Sequence, residues 1–509
     1  MQRHQLDGVQ GTVLGIDLGT QSLKTLFYDF DAREIVAAAS APLELERRAD
    51  GSAEQRVEWW TEALRACLRQ IPEDVRGSVR AIGVSGQQHG FVALGAEGEV
   101  LAPVKLWCDT STQAQADAIE RACGGRERCI ESAGNPVLVG YTASKIRWLE
   151  EVEPDRYRRL ATILLPHDYL NYVLTGRASM EYGDASGTGF LDVRRRQWSE
   201  RLLTAVDPRR DLTECLPPLL AAGELAGTTA DSVGGDYGLP AGVPVATGGG
   251  DNMMAAVGTG NVTAGKLTMS LGSSGTLFAY ADAPIVDPNG EIAAFCSSTG
   301  GWLPLVCTMN CTLGTELIGS LIGRAARDLD GEIAGIEPGA GGLITLPFFN
   351  GERTPNLPHG KGCVLGLSSH NCSPPHLLRL AVEGATFALR YGLDRLHELG
   401  VTASEIVLTG GGANSAVWRQ IVADVCRRPV TILKQTEGAS FGAALQALWA
   451  FRRREDASAS VADIVGEHLS RDDALSAEPE TVAADVYSEH YAAYQQAVRN
   501  VTPIYTHYA

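Results

Sequence analysis

Gly15-Ile16-Asp17-Leu18-Gly19-Thr20-Gln21-Ser22 lies between two apolar runs, residues 13–16 and 23–27. Its design returns about half the chain later as Ser270-Leu271-Gly272-Ser273-Ser274-Gly275-Thr276, between residues 266–269 and 277–280. Each copy reads as strand, tight glycine turn and strand, with hydroxyl side chains and backbone N–H groups at the tip, a chemistry suited to phosphate oxygens. A repeat at this distance predicts two related half-structures, whose turns could clamp one nucleotide. Only the first copy has a carboxylate, Asp17, where the second has Ser270. One carboxylate beside phosphates suits one Mg²⁺, which prefers hard oxygen ligands and retains waters. Two ordinary hairpins would leave the same pattern, so the turns by themselves leave both readings open.

The 509 residues exceed what one core supports, so two or more domains are expected. With 44% hydrophobic and 20% charged residues the composition is that of a globular protein. A formal net charge of −18 argues against nucleic acid or an anionic membrane as partner. Residues 1–10 are polar and no apolar run reaches the roughly 18 residues of a bilayer span, so a cytoplasmic protein is expected. The eleven cysteines are scattered and odd in number, which fits free thiols better than a disulfide framework. Cys307 and Cys311, or Cys123 and Cys129, lack the neighbours of a zinc site.

Apolar periodicity predicts a hairpin over residues 13–30, helices over 57–70, 142–151, 167–175, 253–258, 374–399 and 415–426, and strands over 81–85, 243–247 and 406–409. Alternation of this kind builds an α/β fold with mostly covered sheets. The expected division is residues 1–260, 261–455 and a C-terminal surface and helical segment, 456–509. Residues 457–481, rich in Ala, Ser and acidic side chains, read as surface.

Several motifs carry candidate chemistry. Gly260-Asn261-Val262-Thr263-Ala264-Gly265-Lys266-Leu267 nearly spells a P-loop, but Leu267 stands where the Mg²⁺-binding hydroxyl belongs and a strand follows instead of a helix. Gly410-Gly411-Gly412-Ala413-Asn414-Ser415 lacks the third glycine of a dinucleotide fingerprint, yet it follows a strand and opens a helix, where backbone approaches a flat or anionic ligand closely. Gly248-Gly249-Gly250-Asp251-Asn252 places three poorly packing glycines at a strand end. Asp251 is there either a helix cap or a general base for a substrate hydroxyl attacking phosphorus. Gln87-Gln88-His89 ends a buried strand between glycines, a place where ligands collect, and its amides and imidazole suit polyol hydroxyls. Trp107 and Asp109 offer an apolar face and an acceptor, as a sugar requires, although a buried Trp beside a surface Asp accounts for them nearly as well.

Together these residues resemble the FGGY family of carbohydrate kinases, within the actin, hexokinase and Hsp70 superfamily. The match runs from about Val13 to about Trp449. It rests on the turn at Asp17, on Gly248-Gly249-Gly250-Asp251-Asn252, Gly351-Glu352-Arg353-Thr354-Pro355 and Gly410-Gly411-Gly412-Ala413-Asn414. Tyr141-Thr142-Ala143-Ser144-Lys145-Ile146-Arg147-Trp148-Leu149 looks like the family's first signature and Gly362-Cys363-Val364-Leu365-Gly366-Leu367 like the opening of its second. The resemblance implies two actin-like, ribonuclease H-like ATPase domains with the active site in the cleft between them. It implies ATP-dependent phosphorylation of a small ketose, D-xylulose first, with D-ribulose, L-ribulose, gluconate or glycerol as alternatives and a non-catalytic ATP-binding sensor or chaperone as a more distant one. It implies that Gln88, His89, Asp109, Asp251 and Asn252 contact the sugar, with Asp251 as base, and that Asp17 serves Mg²⁺. Gly19, Thr20, Gln21, Ser22, Gly272, Ser273, Ser274, Gly275, Thr276, Gly410, Gly411, Gly412 and Asn414 would hold the nucleotide. The implied partners are the sugar and ATP alone, with no nucleic acid or membrane and room for a homodimer. Trp107-Cys108-Asp109-Thr110-Ser111 and Gly140 depart from patterns common in the family, so the resemblance defines the substrate class more closely than the individual sugar.

Overall fold

Strand β1 (Thr12–Leu18) turns at Gly19 into β2 (Ser22–Asp29), Gly19 N donating to Ser22 O at 3.0 Å. In the computed structural model, which describes residues 11–324, 329–435 and 437–508, the polar stretch 1–10 lies outside the described residues. β3 (Glu34–Pro42) runs antiparallel to β2, and β4 (Val79–Gly86) parallel to β1 on its other side. β5 (Leu225–Thr228) and β6 (Pro244–Ala246) extend the sheet to the order β5-β6-β4-β1-β2-β3, with β7 (Gly249–Gly250) pairing with the end of β4.

The second half repeats this plan. β8 (Gly265–Leu271) and β9 (Gly275–Ala279) form the second hairpin, and β10 (Leu305–Thr308) is antiparallel to β9. β11 (Ala403–Thr409) lies parallel to β8, followed by β12 (Val430–Thr431). The order β10-β9-β8-β11-β12 matches β3-β2-β1-β4-β6 strand for strand and direction for direction. The repeat visible in two short turns therefore extends through five strands of each sheet.

Helices cover these sheets where the apolar periodicity placed them. α1 (Val57–Arg69) buries Trp60 and Leu64 on the first sheet, and α2 (Pro166–Thr175) packs near the end of β4. α3 (Asp251–Gly258) follows β7, while α4 (Pro374–Glu398) and α5 (Ala416–Cys426) pack together over the second sheet.

The sequence reading passed over α6 (Gly438–Arg453), which follows the second sheet in the chain but lies on the first sheet in space. It approaches so closely that a Cβ at Gly15 would sit 1.9 Å from Ser440 O, and one at Gly83 2.0 Å from Ala443 O. Against α3 the contact is equally close: a Cβ at Gly442 would be 1.8 Å from Met254 O, and one at Gly258 1.9 Å from Gly438 O. Val13, Met254, Phe441 and Leu445 share one buried cluster across this seam.

Residues 457–481 are less superficial than their composition suggests. α7 (Val461–His468) buries Val461, Ile464 and Val465, and its His468 Nδ1 lies 2.9 Å from Tyr28 Oη on the first sheet. A one-sided apolar stripe was masked by Ala, Ser and acidic residues around it. α8 (Thr481–Val501) buries Tyr487, Tyr491 and Tyr494 in the second core, and Tyr487 Oη donates to Glu383 Oε1 at 2.9 Å. The helices α7 and α8 within residues 456–508 thus pack on different cores.

The α3–α6 contact predicts that Gly442→Ala costs about 1–3 kcal/mol of stability through overpacking. Gly466→Ala in α7, where nothing lies within 4 Å of the new methyl, should be neutral or stabilising. Urea unfolding followed by circular dichroism checks both, and an unchanged midpoint for Gly442→Ala refutes the tight approach.

Candidate active site

β4 ends at Gly86 and continues into Gln87-Gln88-His89 where β7 comes alongside, Gly249 pairing with Ser85 and Gly250 with Gly86. Side chains are excluded from this approach. A Cβ at Gly248 would lie 2.4 Å from Val84 O, one at Gly249 2.4 Å from Ser298 Oγ and one at Gly250 2.7 Å from Gln88 Cγ. Gly248 also has a φ of +75°, which favours glycine. Gln446 on α6 pins the strand end, accepting from Gly248 N at 2.9 Å and donating to Gly248 O at 3.0 Å.

Asp251 begins α3, but the cap position is Gly250, so Asp251 is not the capping residue. Its carboxyl sits at the positive end of the helix dipole. Oδ1 accepts from Asn252 N at 2.7 Å and from Asn252 Nδ2 at 3.0 Å, and the same Nδ2 donates to Gln88 Oε1 at 3.0 Å. Three of the expected sugar residues therefore form one hydrogen-bonded unit. Burial and then the negative charge of Asp17 push the Asp251 carboxyl up to about 7. Asp17 accepts from Ser85 Oγ at 2.8 Å, and burial raises its pKa as well.

Asp251 lines the cleft described below and Asp17, outside its lining, bears on it electrostatically, so this pair of carboxyls could hold a divalent cation. Among the described residues no three His, Cys, Asp or Glu groups gather as a metal cluster.

His89 has a left-handed backbone, φ +66°. Lys145 fixes it: the buried Nζ donates to His89 O at 2.6 Å and to Gly140 O at 2.8 Å, and Thr142 Oγ1 donates to His89 O at 3.2 Å. Burial lowers the Lys145 pKa to about 7. The His89 ring packs 4.7 Å from Tyr141 and 5.8 Å from Phe295. Burial and the charges of Lys145 and Arg353 hold its pKa well below the usual imidazole value, so the ring is neutral.

A cleft of about 340 Å³ joins these groups to the second turn. Gln88, His89, Trp107, Asp251 and Asn252 line one part, and Ser270, Gly272, Ser273, Ser274 and Thr276 another. Gly275 is buried behind the turn, its N–H donating to Thr308 Oγ1 at 3.2 Å.

Other expected residues lie elsewhere. Asp109 is fully buried and away from the cleft: Oδ2 accepts from Ala53 N at 2.9 Å and Lys105 Nζ at 3.2 Å, Oδ1 from Ser111 N at 2.9 Å and Ser111 Oγ at 2.6 Å. Protein donors occupy both its oxygens, so the expected sugar contact is replaced by a structural one. Gly19, Thr20, Gln21 and Ser22 adjoin the cleft without lining it. The Thr20 hydroxyl is committed, donating to Gln87 Oε1 at 2.9 Å and accepting from Trp107 Nε1 at 3.0 Å. Gly410, with φ +85°, packs on the Leu271 backbone, so Gly411, Gly412 and Asn414 stand beside the second turn, outside the cleft. Tyr141, Phe295, Cys307 and Arg353 line the cleft and were given no role from sequence, although Tyr141 opens the first signature and Arg353 lies within a quoted motif.

Residues 12–258 match the N-terminal domain of the FGGY family of carbohydrate kinases, and residues 267–451 its C-terminal domain. The chain is similar to a xylulose kinase from Haemophilus influenzae, with 43% identity over 86% of this chain and 90% of the relative. It resembles the solved structure of xylulose kinase from Bifidobacterium adolescentis, with a TM-score of 0.79 and 28% identity over 95% of this chain and 99% of the other. A gluconate kinase from Lactobacillus acidophilus shares the fold, with a TM-score of 0.89 and 21% identity over 98% and 100% of the two chains. Among the described residues no helix is long and apolar enough to cross a membrane.

The raised Asp251 pKa has a signed consequence for the ligand-free protein. A carboxyl moved from 3.8 to about 7 by folding costs stability as pH rises through that window, because burial opposes its charged form. Asp251→Asn should therefore raise Tm relative to wild type at pH 8 by more than at pH 4. Equal differences at the two pH values, measured by calorimetry without divalent cations, would refute the shift.

Proposed function

The chain belongs to the FGGY family of carbohydrate kinases, and from that premise we propose that it transfers the terminal phosphoryl group of ATP to D-xylulose, giving D-xylulose 5-phosphate and ADP. The observation that carries the mechanism is the Asp251 carboxyl at the start of α3, bonded through Asn252 to Gln88 and facing a cleft that also holds the second glycine turn. The choice of sugar follows the likeness to the Haemophilus xylulose kinase, since the overall fold is shared with a gluconate kinase.

Phosphoryl transfer passes through a loose transition state, so alignment and charge stabilisation are the protein's main tasks. Gln88, the neutral His89 and Asn252 hold hydroxyls of the sugar with one reacting hydroxyl at Asp251. A carboxyl with a pKa of about 7 is matched to accepting the proton as the oxygen attacks phosphorus. Ser273, Ser274 and the backbone N–H groups of the second turn receive phosphate oxygens. Asp17 is the residue that would hold Mg²⁺, whose charge, when bound, neutralises the phosphates. Closure of the two halves around the sugar would keep water from the phosphoryl group. Gly410, Gly411, Gly412 and Asn414, next to the second turn, would hold the nucleoside.

ADP release by the purified protein with Mg-ATP should be strong with D-xylulose and weak with D-ribulose, L-ribulose, gluconate and glycerol. Preferential turnover of another member reassigns the sugar, and no turnover with any overturns the reading. Asp251→Ala should lower kcat by about 10²-fold or more, the usual cost of a lost general base; near-normal kcat removes it from that role. Asp17→Ala should shift the Mg²⁺ titration of activity to higher concentration, and an unchanged titration excludes Asp17 as the ligand.

A further inference from the structure

Arg353 enters the sugar part of the cleft from the second half of the chain. Its segment is fixed from behind by the buried Glu352, which accepts from Met309 N at 2.7 Å, Arg353 N at 2.9 Å and Asn310 Nδ2 at 3.3 Å. Thr354 Oγ1 donates to Glu291 O at 2.8 Å on the other side. The guanidinium is thus aimed by a braced backbone, while Glu352 spends its oxygens on other donors. Among the described residues Arg353 forms no ion pair within 4.0 Å, and the Cys307 thiol that lines the cleft with it and feels its charge is a weak acceptor. An unpaired, half-buried guanidinium with most of its donors open to a cleft is costly unless a ligand completes it.

Its surroundings define which part of a ligand that is. Nη2 would lie 3.7 Å from a Cβ at Gly140, and no side chain fits there because the same Cβ would meet Trp107 O at 2.6 Å. The absence of a side chain at Gly140 leaves the space for the guanidinium. Gly140 in turn shares the Lys145 ammonium with His89, whose carbonyl accepts from Nζ at 2.6 Å while Gly140 O accepts at 2.8 Å, and the Arg353 charge is felt at His89 and Tyr141. The arginine therefore belongs to the His89–Tyr141 side of the pocket.

We propose that Arg353 is a substrate-binding residue that donates hydrogen bonds to the ketone end of the sugar, the C2 carbonyl and C1 hydroxyl, while Asp251 holds the hydroxyl to be phosphorylated. This rests on the ketose-kinase reading. Gln88, His89 and Asp251 come from the first half and Arg353 from the second, so one sugar molecule is gripped by both, and sugar binding itself favours closure.

Arg353→Ala and Arg353→Lys should be compared with wild type by calorimetry with D-xylulose and no nucleotide, then by kinetics with D-xylulose, 1-deoxy-D-xylulose and xylitol. Loss of charge-assisted hydrogen bonds should weaken D-xylulose binding about 10- to 100-fold in Arg353→Ala. KM for ATP should stay within about twofold and Tm near wild type. Wild type should discriminate against at least one of the two altered sugars, and that discrimination should collapse in Arg353→Ala and recover in part in Arg353→Lys. Unchanged sugar affinity, parallel losses for sugar and ATP, or retained discrimination against both altered sugars overturns the proposal. If wild type phosphorylates a different sugar, the D-xylulose reading fails separately, and the split between that sugar and ATP in the same variants still decides the role of Arg353.

Discussion

The backbone contact of α6 with β1, β4 and α3 is the constraint on which the rest depends. Helices usually meet sheets through side chains, which hold the axes well apart. Here Gly15 and Gly83 remove the side chains of two adjacent strands, and Gly258 and Gly442 do the same between two helices. Each would meet a main-chain oxygen within about 2 Å if it carried a Cβ, and a main-chain atom cannot turn aside as a side chain can. The result is a helix from the later part of the chain built into the earlier sheet. The same helix carries Gln446, whose amide completes both hydrogen bonds of Gly248. Glu437, just before the helix, meets Lys24 of β2 at 2.9 Å. The strand end presenting Asp251 is therefore set by packing that involves both halves.

The buried ionisable groups in and around the cleft make sense only against that rigidity. The charge of Asp17 adds to burial in raising the Asp251 pKa, and Glu181 and Glu352 are each pushed up to about 7 by burial. Behind Gln88, His167 Nδ1 lies 2.7 Å from Asp184 and Nε2 3.0 Å from Asp168. Burial works against the charge of His167, but the two carboxylates outweigh it and keep its pKa well above the usual value. Such groups, left alone, would favour a looser and wetter structure. A scaffold fixed by main-chain contact tolerates them.

What was legible in the sequence follows the range of the interactions responsible. Both hairpins were readable because turn chemistry is local: glycine, hydroxyls and flanking apolar runs lie within a few residues. The strand-end glycines before Asp251 were readable because they serve no purpose in an ordinary strand. α6 was not, since Gly438-Ala439-Ser440-Phe441-Gly442-Ala443-Ala444 is enclosed on several faces and lacks the polar stripe that periodicity detects. Asp109 had the right type beside a cleft tryptophan, but residue type cannot reveal that four protein donors already occupy its oxygens. Arg353 stood in a recognised motif, yet its direction depends on Glu352 bonding to Met309 and Asn310, contacts about forty positions away.

The repeated sheets also explain why one chemistry needs two unlike turns. Matching strand order gives β1-β2 and β8-β9 equivalent inner places in their sheets, so each offers backbone N–H groups and hydroxyls at a comparable position. Symmetry could have supplied a carboxylate to both. A second one at Ser270, which lines the cleft with Asp251, would add a third negative charge near a carboxyl already raised to about 7 and would repel the phosphates the turn is suited to receive. Ser270 retains the hydrogen-bonding capacity without the charge, while Asp17 faces Asp251 from the other turn. Under the proposed function the asymmetry would give phosphate contact to one hairpin and cation contact to the other, and a substrate would span both halves to meet the two together.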